Sequence, residues 1–215
     1  MKSPKEVVME KKAKAVCNAL EKRFMGGLFV NNKEEACKEI LKMVPDKSLV
    51  GLGGSVTLTE TGLLDSLRKK DVDLIDRYKK DVTPDEMEEM RIKGLSSDIY
   101  ISSFNAITLK GQIVNCDGMG NRVAAILYGP KKVILIGGVN KIVNTVEEGI
   151  NRIHSLAAPM NCIRFNAKTP CSTTGIHDDE HCFPPGRLCN CFTIIQGQFQ
   201  KGRITVVLVN EDLGF

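Results

Sequence analysis

The residues best suited to chemistry lie in a glycine-rich stretch, residues 50–62, which reads Val-Gly-Leu-Gly-Gly-Ser-Val-Thr-Leu-Thr-Glu-Thr-Gly. A short apolar run enters it and a helix-like spacing of leucines leaves it, which predicts a strand, a glycine turn and a helix start. Gly53 and Gly54 would let the backbone approach a ligand beside unpaired N–H groups. Ser55 and Thr57 add hydroxyl donors. The stretch matches neither a dinucleotide fingerprint nor a Walker loop, so an anion cradle and a plain capped turn both stay open.

Two charged residues beside glycine turns are candidates for acid–base chemistry or charge neutralisation. Glu60 stands three residues after Thr57, which fits a helix capping box and equally fits a general base or a substrate acceptor. Lys141 follows Lys132–Gly138, the clearest buried-strand candidate, by three residues. A lysine at such a mouth neutralises an anion, although a surface lysine at a helix end fits the spacing equally well.

A second group of polar side chains lies in and before another glycine turn. Asn105 follows a strand candidate and either holds a substrate carbonyl or fixes its own turn. Asp117, Asn121 and Arg122 share the turn Asp-Gly-Met-Gly-Asn-Arg. There Asp117 suits a base or a hydroxyl acceptor, and Arg122 suits a carboxylate or a phosphate. An Asp-Gly turn with a surface salt bridge explains the same residues.

Residues with metal-binding side chains are concentrated in one irregular segment near the end of the chain. The preferred ligands for a tetrahedral zinc ion are Cys171, His177, Cys182 and Cys189. Cys191 or His181 is an alternative ligand. The spacing differs from regular zinc fingers, and the pattern favours a metal or redox site over packing, with zinc ahead of an iron–sulfur cluster. A structural role fits, because the loop has no other means of ordering itself.

The totals limit the class of protein. The chain has 215 residues, which suits one domain with a substantial core, and its net charge of +4 does not require a nucleic-acid partner. No apolar run is long enough to cross a membrane, and Met1–Lys14 lacks the apolar core of a signal peptide. We therefore expect a cytoplasmic protein whose eight cysteines are thiols or metal ligands rather than disulfides.

Alternating helix and strand patterns predict the elements that position these residues. Apolar spacing and capping signals predict helices over 5–24, 33–43, 84–94 and 144–157. Apolar runs predict strands at 28–30, 49–52, 72–75, 98–102, 112–115, 123–127 and 132–138, and a closing hairpin at 192–195 and 204–209. The alternation indicates an α/β fold with a mainly parallel sheet covered by helices. Ligands of such folds bind beyond the carboxyl ends of strands, so we expect the three glycine turns to converge on one crevice.

Several stretches carry a resemblance to one known family. They are Gly51–Thr57 with Glu60 and Gly62, Ser103–Thr108, Gly111–Gly118 with Gly120–Ala125, Gly129–Pro130, Gly138–Val143 and Glu211–Phe215. In their residue types, order and flanks, the sequence resembles the lactate-utilisation (LUD) domain family. The resemblance implies a single domain over 1–215, in which 1–47 is an N-terminal part and 165–192 is a Cys/His-rich embellishment.

The resemblance also implies a NagB/RpiA/CoA-transferase-like fold, the fold of ribose-5-phosphate isomerase, glucosamine-6-phosphate deaminase and CoA transferases. In those relatives a glycine-Ser-Thr loop binds phosphate, and Ser55 and Thr57 match that loop. Asp117-Gly118 is similar to the catalytic turn of the isomerase, but Met119-Gly120-Asn121 follows instead of further acids. This departure argues against sugar-phosphate isomerisation.

Family members often work beside iron–sulfur and oxidoreductase partners in oxidising L-lactate to pyruvate. The resemblance thus implies an accessory subunit with an iron–sulfur oxidoreductase as partner, and it leaves a homo-oligomer open. The small anionic or phosphate-bearing ligand is expected at Gly53, Gly54, Ser55, Thr57, Asn105, Asp117, Asn121, Arg122 and Lys141. Two alternatives are a free-standing isomerase- or CoA-transferase-like enzyme using Glu60 or Asp117, and a metal-stabilised interaction module. The family's Cys-rich region usually has further cysteines where His177 and His181 stand here, which favours zinc.

Overall fold

Ten strands form two sheets in the computed structural model, which describes residues 3–215. The strands are β1 (Gly26–Val30), β2 (Leu49–Leu52), β3 (Asp73–Ile75), β4 (Ile99–Ser102), β5 (Ala106–Thr108), β6 (Ile113–Asp117), β7 (Lys132–Gly138), β8 (Ile142–Val143), β9 (Cys191–Ile195) and β10 (Ile204–Val209). Six of them form a parallel sheet in the order β1-β10-β7-β4-β2-β3. The others form a smaller sheet in the order β8-β5-β6-β9, in which β6 pairs antiparallel with both neighbours.

Two apolar strands lie in the middle of the large sheet. β7 and β10 pair in a register that aligns Val133 with Ile204 and Gly138 with Val209. Both are nearly continuous runs of Val, Ile and Leu, which suit strands that are buried on both faces. Because all neighbours in this sheet are parallel, the carboxyl ends of its strands lie along one edge.

Nine α-helices surround the sheets within residues 3–215. They are α1 (Pro4–Glu21), α2 (Lys33–Met43), α3 (Val56–Glu60), α4 (Leu63–Arg68), α5 (Pro84–Gly94), α6 (Asn121–Leu127), α7 (Val146–Arg152), α8 (Ala158–Arg164) and α9 (Pro170–Thr174). A 3₁₀ turn (Val139–Lys141) follows β7, and a π-helical turn (Ile153–Ala157) joins α7 to α8. None of the helices in this part of the chain is both long and apolar enough to span a membrane.

Two hydrophobic clusters cover the faces of the large sheet. One packs Val16 and Leu20 of α1 against Val206 and Leu208 of β10, and it includes Ile113 of the smaller sheet. The other packs α2, α3 and α4 against β2, β4 and the opposite side of β10. Because helices cover both faces, the loops at the carboxyl edge are the part of the sheet left for a ligand.

The structure confirms the α/β class with a mainly parallel sheet covered by helices, but it corrects one predicted strand. Residues 123–127 lie in α6 rather than in a strand. The run Val-Ala-Ala-Ile-Leu is too short for periodicity to separate helix from strand, and its two alanines favour a helix. Gly120, with a φ of 87°, precedes α6 in left-handed backbone that glycine adopts without strain.

The predicted hairpin of 192–195 and 204–209 is also wrong. β9 pairs antiparallel with β6 in the smaller sheet, whereas β10 lies between β1 and β7 in the large one. The turn between them is held by distant backbone: the N–H groups of Gln198 and Gly202 donate to the carbonyls of Arg23 and Phe24, each at 2.9 Å. These hydrogen bonds fix the path of the connection from the smaller sheet to the large one.

Two smaller differences concern element boundaries. The helix predicted over 144–157 is α7 followed by the π-helical turn, and α8 then runs through Pro159. Proline fits there because the first turn of a helix has no use for its missing N–H. β5 has no counterpart among the predicted strands, since three residues are too few to show a period.

Candidate functional site

A cavity of about 300 Å³ lies beyond the carboxyl ends of the parallel strands. The segments that follow β2, β3, β4 and β7 reach it, together with the end of β6 and helices α5 and α8. Its polar walls include Gly54, Ser55, Thr57, Arg77, Arg91, Ser103, Asn105, Asp117, Asn121, Arg122, Lys141 and Arg164. All predicted ligand-binding residues except Gly53 therefore line the same cavity.

The junction between β2 and α3 presents backbone amides to this cavity. The Ser55 amide is occupied, because it donates to the Tyr78 hydroxyl at 2.7 Å. The amides of Gly54, Val56 and Thr57 make no hydrogen bond within residues 3–215. The Ser55 side chain, which precedes α3, forms no capping bond either. Several donors at this junction are thus free for an acceptor such as an anionic oxygen.

Gly53 and Glu60 do not face the cavity. Gly53 donates its N–H to the Ile101 carbonyl at 2.9 Å, and a methyl group at its α-carbon would overlap the Ser102 side chain. Strand packing therefore explains why residue 53 is a glycine. Glu60 is exposed, and it accepts the Gly214 N–H at 2.7 Å. The predicted capping box with Thr57 is wrong, because α3 begins at Val56 and Glu60 is its last residue.

Arg122 is buried and uses its guanidinium group inside the protein. It donates to Asp117 at 2.8 Å, to the carbonyls of Ser103 and Cys116, and to the side-chain oxygens of Asn105 and Asn115, all within 3.0 Å. These contacts account for the five N–H groups of an arginine. Arg122 therefore ties the segment after β4 to β6, and it contributes charge to the cavity without a free N–H for a ligand.

Asp117 and Asn105 are also held by protein contacts. One Asp117 oxygen accepts from Arg122, and the other accepts the Val123 N–H at 3.0 Å in the first turn of α6. The Asn105 side-chain oxygen accepts from the Cys116 N–H and from Arg122, both at 2.9 Å. Its amide nitrogen and the side chain of Asn121 make no hydrogen bond within residues 3–215, which leaves them for a ligand.

Lys141 is almost completely enclosed at the end of the 3₁₀ turn, with 2% of its surface exposed. Its Nζ donates to the Ser103 hydroxyl at 3.0 Å and to the Thr57 hydroxyl at 3.4 Å. Within residues 3–215 it forms no ion pair. Burial, with smaller contributions from the guanidinium groups of Arg152 and Arg122, lowers the pKa of Lys141 from 10.5 to about 7.

Further cations line the other end of the cavity. The Arg77 guanidinium makes no hydrogen bond or ion pair within the described residues, and its nitrogens lie near the position a Gly54 side chain would occupy. Arg164 lies over the Phe165 ring at 4.0 Å and donates to Asn161 at 2.8 Å. Arg91 pairs with Glu88 on α5 at 2.9 Å, and its buried Nε has no partner among residues 3–215.

The end of the chain closes one wall. Gly214 and Phe215 line the cavity. Asn140 fixes this segment by donating to the Gly214 carbonyl and accepting from the Leu213 N–H, both at 3.2 Å. Together with the bond from Gly214 to Glu60, these contacts hold the segment between α3 and the 3₁₀ turn.

Comparisons with known proteins give one family match and several similar solved structures. A family model described as the LUD domain matches residues 13–209. The chain belongs to the LUD-domain family. Among solved structures, this LUD domain is similar to a DUF162 family protein from Deinococcus radiodurans, with 13% identity, a TM-score of 0.51, and 95% of this chain and 97% of that chain covered. It also matches eIF2B delta from Chaetomium thermophilum, with 16% identity, a TM-score of 0.37, and 55% and 50% covered. A comparison with curated proteins finds no significant match.

The Cys-rich segment of the LUD domain lies beside the cavity. Cys171, Cys182 and Cys189 are buried, and Cys189 lines the cavity. Cys162 on α8, which was not among the predicted ligands, joins them. Burial, together with the adjacent Cys171 thiol and against a hydrogen bond with Thr169, raises the pKa of the Cys162 thiol to about 11. Within residues 3–215, no three His, Cys, Asp or Glu side chains are already arranged as a metal site.

The two predicted histidines and Cys191 make other contacts. The His177 ring stacks on His154 with centroids 3.8 Å apart and an angle of 6° between planes. His181 is exposed and pairs with Asp178 at 2.9 Å. The Cys191 sulfur, on β9, lies near Gly120. Its stacking on His154 and its contact with Asp179 at 3.1 Å make the half-buried His177 less favourable as a ligand than the three buried thiols.

Several residues of the site were not predicted. Arg77 lies two residues after the end of β3, so the rule that ligands meet strand ends would have found it. Arg91 and Arg164 come from helices, and no local signal distinguishes them from surface arginines. Arg152 donates to the carbonyls of Asn105 and Asn140 at 2.9 and 3.2 Å, a tertiary role that no sequence spacing reveals.

Proposed function

We propose that this LUD domain binds a small anionic ligand, carrying a phosphate or a carboxylate, in the cavity at the carboxyl edge of its large sheet. The observation that carries the proposal is the imbalance of charge. Arg77, Arg91, Arg122, Lys141 and Arg164 line the cavity, whereas Asp117 is the only side-chain carboxylate that lines it among residues 3–215 and is paired with Arg122. Positive side chains around a confined cavity create a positive electrostatic potential inside it, which favours the binding of anions.

The free donors support the same ligand chemistry. The Arg77 guanidinium, which has no partner within the described residues, lies beside Gly54 at the junction that carries the unbonded amides. An arginine fork and backbone N–H groups are the usual donors to phosphate and carboxylate oxygens. The cavity volume of about 300 Å³ suits a metabolite-sized ligand.

The LUD family supports a biological setting for this ligand site. We propose an accessory subunit of L-lactate oxidation that works beside an iron–sulfur oxidoreductase. Deletion of the gene should impair growth of the host on L-lactate. A copy of the native gene should restore growth, whereas a copy carrying Arg77→Ala should not. Unimpaired growth of the deletion strain would contradict the lactate role. It would not bear on ligand binding, which calorimetric titration measures separately.

The alternative of an isomerase- or CoA-transferase-like enzyme has less support. Both oxygens of Asp117 accept hydrogen bonds inside the protein, and Glu60 lies outside the cavity with its carboxylate on Gly214. A general base or nucleophile needs a carboxylate within reach of the reacting atom. Asp117 lines the cavity but both of its oxygens are engaged by protein donors, and Glu60 is outside the cavity, so we favour binding over catalysis by these two residues.

Calorimetric titration tests the ligand site directly. We expect inorganic phosphate, a sugar phosphate or L-lactate to bind, and Arg77→Ala to weaken binding roughly tenfold, as the loss of a charged hydrogen bond would. Lys201→Ala is the control, because Lys201 is an exposed cation before β10, at the opposite edge of the sheet. No binding by any of these probes, or equal affinity of the Arg77 variant, would reject the cavity as an anion site.

We also propose that the Cys-rich segment binds a structural zinc ion. Three of the four predicted ligands, Cys171, Cys182 and Cys189, are buried near one another, and Cys162 supplies a fourth thiol in place of His177. Thiolates in this number suit tetrahedral zinc. The ion would draw the side chains closer and order the segment between α9 and β9.

Elemental analysis after purification under reducing conditions tests the metal. We expect about one zinc ion per chain, lost in Cys162→Ser and retained in Cys37→Ser, whose half-buried thiol lies on α2. Finding iron and inorganic sulfide instead of zinc would show that the segment binds an iron–sulfur cluster. The absence of both metals would reject the site.

A further inference from the structure

Lys141 has properties that anion binding alone does not require. Its Nζ is enclosed, contacts two hydroxyl groups and forms no ion pair within residues 3–215. Arg122, in the same cavity, shows how this fold keeps a permanent charge, with a carboxylate partner and every N–H bonded. The ammonium form of Lys141 has no comparable support.

The surroundings of Lys141 favour the free amine. Burial and the nearby guanidinium groups of Arg152 and Arg122 lower its pKa to about 7, with Glu60 opposing them. A substantial fraction of the molecules then carries a neutral amine near neutral pH. Burial beside other cations is one of the ways in which proteins turn a lysine into a nucleophile.

We propose that Lys141 forms a reversible imine with the carbonyl carbon of a small anionic aldehyde or 2-oxo acid bound in the cavity. This inference rests on the proposed function, since the cavity must first hold the anion. The amine nitrogen bonds to the carbonyl carbon, the carbon–oxygen bond then breaks, and the oxygen leaves as water with the two amine protons. No oxidant or reductant is needed, and hydrolysis reverses the step.

The contacts of Lys141 fit this chemistry. The hydroxyls of Ser103 and Thr57, at 3.0 and 3.4 Å from Nζ, are close enough to relay protons between the nitrogen and the departing oxygen. The Phe104 ring, with its centroid 5.8 Å from Nζ, keeps the surroundings apolar. Arg77 and the free amides after β2 supply donors for the anionic group of the ligand.

Reductive trapping tests the proposal on the native chain. Pyruvate or glyoxylate is incubated with the protein and sodium cyanoborohydride, and intact mass is followed by peptide mapping. We expect one adduct per chain, located on Lys141, with a labelling rate that reaches half its maximum near pH 7. Lys141→Arg should keep a cation and give no adduct, while Lys201→Arg should label as the native chain does.

The outcomes separate this proposal from the anion site on which it rests. Calorimetric binding of pyruvate or glyoxylate without an adduct would overturn the imine and leave the proposed function standing. Absence of both binding and adduct would overturn both. Labelling that is spread over exposed lysines, or that persists in Lys141→Arg, would also overturn the imine. The mapping of the native chain gives this answer even if the variant fails to fold.

Discussion

Arg122 shows at the residue scale how a predicted ligand-binding side chain can serve the protein instead. Its spacing beside a glycine turn indicated an anion fork, but its N–H groups bond to the protein's own oxygens. The side chain connects the residues after β4 with β6 and α6, which are distant in sequence. Positioning of Asn105 and Asp117 is therefore its direct structural role.

The first prediction concerns this network. Arg122→Met should lower the free energy of unfolding by about 3–5 kcal/mol, because it leaves the buried Asp117 carboxylate without its cation. Denaturant titration followed by circular dichroism measures this change. Arg77→Ala is the matched control, since Arg77 lines the same cavity without a partner in residues 3–215, and its effect should stay within about 0.5 kcal/mol. Equal stability of the two variants would show that the network is not structural.

The second prediction follows from the lowered pKa of Lys141. Between about pH 7 and 10.5, Lys141 is protonated in the unfolded chain but has released its proton in the folded chain. Because the unfolded state then binds more protons, the free energy of unfolding rises with pH over that window. The slope is at most about 1.4 kcal/mol per pH unit. Lys141→Met should thus be stabilising relative to the native chain below pH 7, and this advantage should shrink as the pH rises to 10. Denaturation curves at several pH values measure it, and a pH-independent difference would contradict the lowered pKa.

At the scale of elements, the close packing of β2 against β4 sets the position of the glycine junction. Gly53 lies against the Ser102 side chain, so these strands tolerate no β-carbon at this point. Gly54, one residue later, meets only the guanidinium of Arg77 at ordinary contact distance. The two adjacent glycines thus have different roles: Gly53 allows the close packing of the strands, and Gly54 lies beside the cavity.

The third prediction uses this difference. Gly53→Ala should destabilise the fold by about 1–3 kcal/mol through overpacking, and adding Ser102→Gly should restore part of the loss. Gly54→Ala should leave stability nearly unchanged and alter anion binding instead. Thermal unfolding and calorimetric titration of the same variants distinguish the two effects. Similar stability losses in both single variants would refute the distinction.

The sequence predicted those elements whose signals are local. The bounds of α2, β2, α5 and β7 were correct, because capping residues, prolines and apolar runs mark them directly. The pairing of β9 and β10 depended on bonds to residues 23 and 24, and the identity of α6 depended on context that a five-residue run does not contain. In the site, glycine turns after strands located Ser55, Asn121 and Lys141. Arg164 and Cys162 come from α8, whose placement over the cavity is set by tertiary packing.

At the scale of the whole molecule, the two sheets share one hydrophobic cluster. Ile107, Ile113 and Ile195 of the smaller sheet belong to the same buried cluster as Val206 and Leu208 of the large sheet. Ala106 and Val114 of the smaller sheet belong to another cluster, with Ile153 and Ala158, so the two strands β5 and β6 connect both clusters. The molecule should therefore unfold as one cooperative unit.

The fourth prediction tests that unity. Ile113→Ala should lower the free energy of unfolding by about 2–5 kcal/mol while keeping a single transition, because the cluster loses a fully buried side chain. Ile194→Ala is the control in the same sheet, since Ile194 is 45% exposed, and its effect should be much smaller. Circular dichroism and hydrogen exchange should report the same midpoint. Two separated transitions would mean that the sheets unfold independently.

The place of β10 has a consequence for the order of events during synthesis. β10 follows all other strands in the described chain, yet it lies between β1 and β7 and is the neighbour through which β1 joins the sheet. A nascent chain emerging from the ribosome cannot pair its first strand within this sheet until residues 204–209 have been made. Until then β1 has no strand partner, and β7, although paired with β4, keeps one apolar edge open.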